Sequence, residues 1–265
     1  MQRHERRQHT AEVAPLEVDR VSRSFGGLQA VDRISFTLHA GERLAVLGPN
    51  GAGKSTLFNL VCGDIAVDAG QVVLRGEDVT TRPLHERIRR GLARTYQTSS
   101  VFANLSVRDH LVLAQQGPLP GHLSPLRNRR EADRLIERAR SFAARVSLAD
   151  RVDDLAKRLS HGELRQLEIA MALAGEPSII LLDEPAAGLS LAERRQLTDL
   201  LLRLERSIAV VLVEHDMDVA LTVAERVIVL ESGRIIAEGT PAQIENDPIV
   251  SATYLGEQHG TRNHG

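Results

Sequence analysis

A glycine-rich segment carries the most chemical information in this chain of 265 residues. It fits the pattern GxxxxGK[ST] and consists of Gly48, Pro49, Asn50, Gly51, Ala52, Gly53, Lys54, Ser55 and Thr56. In such a loop, backbone N–H groups bind the α- and β-phosphates, the lysine reaches the β- and γ-oxygens, and the serine hydroxyl holds Mg²⁺. The segment therefore predicts binding of a nucleoside triphosphate. An accidental glycine-rich turn is the alternative, and the apolar segments 44–47 and 57–61 on either side argue against it.

Two adjacent carboxylates, Asp183 and Glu184, follow the short apolar run 179–182. Such a run is typical of a buried parallel strand, and the carboxyl ends of parallel strands form the edge where open α/β sheets bind ligands. Asp183 is thereby predicted to hold Mg²⁺, and Glu184 to orient or deprotonate a water molecule that attacks the nucleotide. The alternative is a strand that ends in a solvated turn.

A Ser/Gly turn containing Ser160 and Gly162 begins a segment with a helical pattern that extends to about residue 174. The first N–H groups of a helix have no partner within the helix and lie at the positive end of its dipole, so they can bind a phosphate. An N-cap serine before an ordinary amphipathic helix is the alternative.

The pentapeptide LSHGE at 159–163 resembles LSGGQ, the signature of the ATP-binding subunits of ATP-binding-cassette (ABC) transporters. This resemblance implies that Ser160 and Gly162 contact the γ-phosphate of a nucleotide held by the P-loop of a second ATPase subunit. ATP would then join two chains in a head-to-tail dimer, which could be homomeric or heteromeric.

Further elements of the ABC family occur in the expected order along the chain. Phe25 corresponds to the aromatic residue that stacks on adenine, although core packing is an alternative for it. Gln97 resembles the glutamine that contacts Mg²⁺ and the attacking water, with a solvated loop residue as the alternative. His215 corresponds to the histidine that contacts the γ-phosphate and supports the catalytic Glu184, and residues 186–190 match the loop that crosses the dimer interface.

Three residues depart from the common family pattern. His161 replaces the first glycine of the signature, Glu163 replaces its glutamine, and Ser190 stands where many members have aspartate. A side chain at position 161 restricts the backbone of the turn. A carboxylate at position 163 should weaken the attraction for a triphosphate unless a cation offsets it. We expect these changes to affect the rate of hydrolysis and not the identity of the enzyme.

Shorter stretches resemble the ATPases of branched-chain amino acid importers, and the likeness runs from about residue 16 to 256. These stretches are 25–31, 57–61, 93–97, 234–241 and 254–256. The resemblance implies import of branched-chain or other amino acids or related small polar solutes. It also implies integral-membrane permease subunits and an extracytoplasmic solute-binding protein as partners. Because such an ATPase does not touch the cargo, the substrate is inferred from the family alone.

The fold predicted for the chain is an α/β P-loop NTPase (RecA-like) core with an antiparallel β subdomain and an inserted α-helical subdomain. Parallel strands are predicted at about 43–47, 179–183, 208–213 and 226–231, and core helices at about 54–62, 191–205 and 216–224. Alternating apolar residues at 31–38 and a hairpin-like stretch at 71–76 indicate the antiparallel strands. Helical patterns at 105–115 and 129–146, separated by a Gly/Pro-rich loop at 117–125, resemble the family's helical subdomain at about 99–174. One ABC ATPase domain is expected at 16–256, between disordered tails at 1–15 and 257–265.

Composition narrows the possible partners and the location. A net charge of −2 and an aromatic content of 3% give no basic surface and few stacking side chains, so nucleic acid is not expected as a partner. No apolar run approaches the roughly 20 residues needed to cross a bilayer. We therefore expect a peripheral protein at the cytoplasmic face of the inner membrane. The single cysteine, Cys62, is expected to be a buried structural thiol.

Two other functions share the core motifs. One is a soluble ABC ATPase that acts outside transport, for example on ribosomes or DNA. The other is an ATP-gated regulatory subunit that binds the nucleotide without hydrolysing it, which the altered residues His161 and Glu163 would suit.

Overall fold

A computed structural model describes residues 13–95, 101–117 and 129–253 of the chain. Several sequence predictions fall outside these ranges and stay predictions. They concern Gln97, almost all of the loop 117–125, the C-terminal tail and most of the N-terminal tail. Within the described ranges, no helix is long and apolar enough to cross a membrane.

Among the described residues, ten strands form two sheets. In chain order they are β1 (Leu16–Phe25), β2 (Leu28–Leu38), β3 (Arg43–Leu47), β4 (Ala69–Leu74), β5 (Glu77–Asp78), β6 (Leu92–Arg94), β7 (Ile179–Asp183), β8 (Ala209–Val213), β9 (Arg226–Glu231) and β10 (Arg234–Gly239). The smaller sheet is antiparallel, with the order β2-β1-β4-β5. The larger sheet has the order β10-β9-β3-β8-β7-β6, and all its neighbouring strands are parallel except β10 and β9.

Eight helices accompany the sheets in the part of the chain that the structure describes. They are α1 (Lys54–Cys62), α2 (Leu84–Arg89), α3 (Val107–Gln116), α4 (Arg129–Arg145), α5 (His161–Leu173), α6 (Leu191–Arg203), α7 (Met217–Val223) and α8 (Pro241–Glu245). Single turns of 3₁₀ helix at Ala149–Arg151 and Ala156–Arg158 precede α5. Ser106, Ser160 and Ser190 each form a capping box at the start of α3, α5 and α6, which explains why these helices begin where they do.

All four predicted parallel strands are present, and their boundaries agree to within one residue. The predicted helices at 54–62, 105–115, 129–146, 191–205 and 216–224 correspond to α1, α3, α4, α6 and α7, with ends that differ by at most two residues. The hairpin-like stretch is also confirmed, since β4 turns into β5 through Arg75 and Gly76. The elements that were not predicted are strand β1, strand β6 with its three residues, the partly exposed strand β10, and helices α2 and α8.

The two faces of the large sheet pack against different elements, because successive strand residues point to opposite sides. On one face, Ile179 and Leu181 join an apolar cluster with α1 and the antiparallel sheet. On the other face, Ile180 and Leu182 join a second cluster with α3, α4, α5 and α6. The fold is therefore the predicted P-loop NTPase core with an antiparallel sheet on one side and helices inserted on the other. The subdomain boundaries at 99 and 174 remain a prediction.

Cys62 is fully buried at the end of α1, which confirms the prediction of a buried thiol. Burial raises the pKa of this thiol to about 11. The thiolate is therefore a minor species near neutral pH, and the residue acts as a small apolar side chain.

A buried arginine closes the carboxyl end of α1. Arg87 is 1% exposed, and its guanidinium donates hydrogen bonds to the carbonyl groups of Leu60 (2.8 Å), Val61 (2.7 Å), Thr80 (3.0 Å) and Arg82 (2.9 Å). The carbonyl groups in the last turn of a helix have no partner within the helix. Arg87 thus satisfies the end of the helix whose beginning is the phosphate-binding loop.

Replacing Arg87 with methionine should lower the free energy of unfolding by about 3 kcal/mol, because several buried carbonyl groups lose their donor. Equilibrium unfolding of the full-length protein in urea measures this loss. The control is Arg89→Met on the same helix, where the side chain is exposed and the expected change is within about 0.5 kcal/mol. Similar losses in both variants would show that Arg87 has no special structural role.

Candidate functional site

The phosphate-binding loop connects β3 to α1 and is shaped by its glycines. Gly53 occupies the N-cap position of α1 with φ of 104°, and no side chain caps the first N–H groups of this helix. A Cβ atom on Gly53 would lie 2.3 Å from the carbonyl oxygen of Ala30, and one on Gly48 would lie 2.2 Å from that of Leu230. Only glycine fits at either position. The loop therefore presents backbone N–H donors to a ligand bound at the N-terminal end of α1.

Lys54 is buried at the start of α1, and its Nζ donates hydrogen bonds to the carbonyl oxygens of Gly48 (2.6 Å) and Pro49 (3.0 Å). The ammonium group therefore lies against the inner side of the loop. The hydroxyl-bearing Ser55, by contrast, is exposed.

A cleft of about 580 Å³ opens above the loop. Its lining includes residues 50–56, Phe25, Leu28 and Glu184. Phe25 is 45% exposed, and the guanidinium of Arg23 lies 4.9 Å from the centre of its ring. Core packing therefore does not account for Phe25. One face of an aromatic ring beside a phosphate-binding loop suits stacking of a planar base.

Asp183 ends β7 and lies among cations beside the loop. It is 4% exposed, and its Oδ1 atom has no hydrogen-bond partner among the described residues. Burial raises the pKa of this carboxyl group, as does the charge of Glu184, and the charges of Arg94 and Lys54 oppose the shift. A buried carboxylate oxygen without a partner is costly. The position fits a divalent cation, which prefers oxygen ligands, so the residues present are compatible with Mg²⁺.

Glu184 follows immediately with a backbone φ of 46°, which is unusual for a residue other than glycine. Its N–H donates to the carbonyl oxygen of Val213 at 2.8 Å, which fixes this strained turn to the end of β8. The Nδ1 atom of His215 lies 3.9 Å from the Oε2 atom of Glu184. The side chain of His215 is 55% exposed, so the pair faces outward from the sheet edge.

The sequence analysis missed Glu214 as a functional candidate. Its side chain is fully buried and accepts hydrogen bonds from the N–H groups of Ala186 (2.8 Å) and His215 (3.3 Å). Burial raises the pKa of this carboxyl group, and hydrogen bonds from the backbone N–H groups of Ala186 and Asp216 oppose the shift. One carboxylate thus holds the loops that follow β7 and β8. The only sequence signal was a glutamate directly after an apolar strand.

The signature turn lies at the start of α5, and two of the first N–H groups of this helix are already paired. Ser160 Oγ accepts from the N–H of Glu163 at 3.2 Å, and the N–H of Gly162 donates to Glu193 Oε1 at 2.9 Å. Glu163 forms an ion pair with Arg151 at 2.9 Å. The positive charge of Arg151 therefore offsets the carboxylate at position 163. With this cation present, the carboxylate is not expected to weaken the attraction for a triphosphate.

The predicted site residues lie in two separate places in the chain. The P-loop, Asp183, Glu184 and His215 meet at the carboxyl edge of the parallel strands. Ser160 and Gly162 begin a different helix and are not among the described residues that line the cleft of the same chain. Gln97 lies outside the described ranges.

The fold and this edge define a nucleotide-binding protein of the P-loop class, and comparison with known proteins narrows the assignment. Residues 31–187 match the family described as ABC transporter, and residues 234–260 match the family described as branched-chain amino acid ATP-binding cassette transporter. The first match includes the P-loop, the signature turn and the two carboxylates at the end of β7.

Individual relatives are similar over nearly their whole length. The chain is 35% identical to LivG, the high-affinity branched-chain amino acid transport ATP-binding protein of Escherichia coli (strain K12), over 91% of this chain and 98% of LivG. It is 37% identical to LptB, the lipopolysaccharide export system ATP-binding protein of Haemophilus influenzae, over 92% of this chain and 98% of LptB. The crystal structure of the ADP conformation of MJ1267, an ATP-binding cassette of an ABC transporter, has a TM-score of 0.81 and 29% identity, covering 92% of this chain and 99% of MJ1267.

The chain belongs to the ABC transporter family. It is an ATP-binding subunit of this family and an ATPase. Its sequence resembles the ATP-binding proteins of branched-chain amino acid transport, as the motifs indicated.

Replacing Asp183 with asparagine should raise the free energy of unfolding when nucleotide and divalent cations are absent. The reason is that the substitution removes a buried negative charge which burial and Glu184 both disfavour. Urea unfolding in the presence of a chelator measures the change. Asp199→Asn on the exposed side of α6 is the control and should change stability by less than about 0.5 kcal/mol. A less stable Asp183→Asn protein would contradict this view of the site.

Proposed function

We propose that this chain hydrolyses Mg-ATP between two ATPase subunits and thereby drives a membrane transporter. The observation that carries the proposal is the convergence of three features at one sheet edge. These are a P-loop with uncapped helix donors, a buried Asp183 oxygen without a partner, and the Glu184–His215 pair.

The P-loop and its neighbours would bind the substrate. Backbone N–H groups of residues 50–56 surround the phosphates, Lys54 neutralises the β- and γ-oxygens, and Phe25 stacks on adenine. Ser55, Asp183 and Gln97 would hold Mg²⁺, which would supply positive charge to the phosphates. The position of the Lys54 ammonium group against the loop supports this role.

Glu184 and His215 would carry the chemical step. Glu184 orients the attacking water and accepts its proton, with Gln97 contacting the same water, and His215 contacts the γ-phosphate and supports Glu184. The strained backbone at Glu184 and its bond to Val213 support this role, because they hold the carboxylate at a fixed place beside the cleft.

A second ATPase subunit would complete each site. Ser160 and Gly162 lie apart from the cleft of their own chain but begin a helix, so they suit a nucleotide carried by another chain. Binding of ATP then closes the pair, and release of the products reopens it.

A second cleft supports docking on a permease subunit. It measures about 340 Å³ and lies between α2 and β6 on one side and α3 and α5 on the other. Its walls are mostly apolar and include Ile88, Leu92, Val101, Ala114 and Met171. Such a groove suits an amphipathic helix, here a coupling helix of the permease. The chain would therefore work at the cytoplasmic face of the inner membrane.

We infer import of branched-chain or other amino acids, or related small polar solutes, with an extracytoplasmic solute-binding protein as a further partner. The match of residues 234–260 and the similarity to LivG support this cargo. The 37% identity to LptB supports an exporter ATPase as the second candidate.

Glu184→Gln should retain ATP binding but lower the hydrolysis rate by about 10²-fold or more, because the water loses its base. Steady-state phosphate release and ATP binding to the purified protein measure the two effects. The control is Glu245→Gln, the same chemical change on the exposed end of α8, which should leave the rate unchanged. Normal turnover of the Glu184→Gln protein would overturn the role of Glu184. Absence of turnover in the unsubstituted protein would favour a regulatory subunit.

The transport assignment is tested by tagging the chain in its native host and identifying what copurifies from gently solubilised membranes. We expect two very hydrophobic permease chains, together with a second ATPase if the pair is heteromeric. Recovery of soluble partners only, with no protein at the membrane, would favour an ABC ATPase outside transport. Partners typical of an envelope-lipid exporter would favour the second candidate.

A further inference from the structure

The carboxylate of Glu193 accepts a hydrogen bond from the N–H group of Gly162, which is the donor that the signature turn would offer to a phosphate. Glu193 lies in the first turn of α6, and its Oε1 atom accepts the N–H of Gly162 at 2.9 Å. Its Oε2 atom accepts the N–H of Ser190 at 2.9 Å and the Ser190 hydroxyl at 2.7 Å. One side chain therefore joins the start of α5 to the start of α6.

The start of α5 also contacts the 186–190 loop through His161, one of the residues that depart from the family signature. A Cβ atom built on Gly188 would lie 2.9 Å from Cε1 of His161, so the imidazole packs against the backbone of the 186–190 loop. The signature turn and this loop are thus held together within one chain.

Glu193 is ionised in this arrangement. Hydrogen bonds from Ser190 and then from Gly162 lower the pKa of its carboxyl group. Glu163, the third residue of α5, differs from Glu193 because it forms an ion pair with Arg151. Among the described residues, no arginine or lysine forms an ion pair with Glu193.

We propose that Glu193 is a positioning residue that holds the signature turn in the chain without a partner, and that the γ-phosphate of the second subunit's ATP displaces it. This inference rests on the proposed function, since it requires Gly162 to contact that phosphate. The N–H of Glu163 is already bonded to Ser160, so the N–H of Gly162 is the donor for which the two anions compete. Two anions cannot both approach one N–H without repulsion.

This competition has a consequence for assembly. Each closing event must break the bond between Glu193 and Gly162, and each opening event can restore it. Glu193 also caps α6. Its release would therefore change its hydrogen bonds with Ser190 and the position of the 186–190 loop. The residue would set the ATP concentration at which two subunits close, while taking no part in the chemical step.

The substitution Glu193→Gln removes the negative charge and one of the two acceptor oxygens. Glutamine can replace glutamate in a capping box, so the fold should be kept, but its single oxygen can then serve either Ser190 or Gly162 and not both. Asp199→Asn is the matched control, because it removes one negative charge from the same helix at a place where no bond to the signature turn is present. Both substitutions are made in the Glu184→Gln background to prevent hydrolysis.

The experiment measures dimer formation by sedimentation velocity as Mg-ATP is added. It uses the full chain, combined with the second ATPase if the copurification identifies one. We expect Glu193→Gln to lower the ATP concentration for half-maximal dimer formation by roughly threefold or more, since one repulsive charge is removed. The Asp199→Asn protein should match its parent. The ATP affinity of the separate subunit should be equal in all three proteins.

An unchanged or higher half-maximal concentration for Glu193→Gln would overturn the inference and leave the proposed function intact. If the parent binds ATP but never forms a dimer, the proposed ATP sandwich fails, and the inference fails with it. Tighter binding of ATP to the separate Glu193→Gln subunit would place the effect at the chain's own P-loop and would also overturn the inference.

Discussion

The register of three parallel strands determines where the chemistry of this protein takes place. Val46 of β3 is aligned with Val213 of β8, which is aligned with Asp183 of β7. The residues that leave these strands therefore appear side by side, although they are far apart in sequence. The P-loop, the Glu184 turn and the His215 loop all depend on this alignment, because a shift of one residue would turn their side chains to the opposite face of the sheet.

Buried carboxylates lie close together at this edge. Their burial lowers the stability of the fold, but it also provides oxygen ligands for a cation. Burial raises the pKa of both Asp183 and Glu214, and the latter is satisfied by backbone N–H groups. Asp183 keeps one oxygen without a partner among the described residues. The edge therefore favours a bound cation, which is consistent with the Mg-nucleotide that we propose as its ligand. Arg87, at the other end of α1, stabilises the helix that carries the P-loop from the side away from the phosphates.

Local sequence patterns identified the parts of the site that are built from residues close together in the sequence. The strand, glycine loop and helix around Lys54 could be predicted because their signals lie within about twenty residues. Glu214 and Glu193 could not, since their bonds reach across 28 and 31 residues to Ala186 and Gly162. Neither strand β6, with three residues, nor the partly exposed β10 had a pattern long enough to distinguish it from a loop.

The central claim is that two chains share each ATP molecule, with the P-loop of one and the signature turn of the other. A crystal structure of the Glu184→Gln protein with Mg-ATP tests it most directly, in a dimer with its own copy or with the second ATPase. The account predicts a γ-phosphate beside Lys54 of one subunit and within about 3 Å of the Gly162 nitrogen of the other. A nucleotide held by the P-loop alone, with every Gly162 still bonded to Glu193 of its own chain, would contradict it.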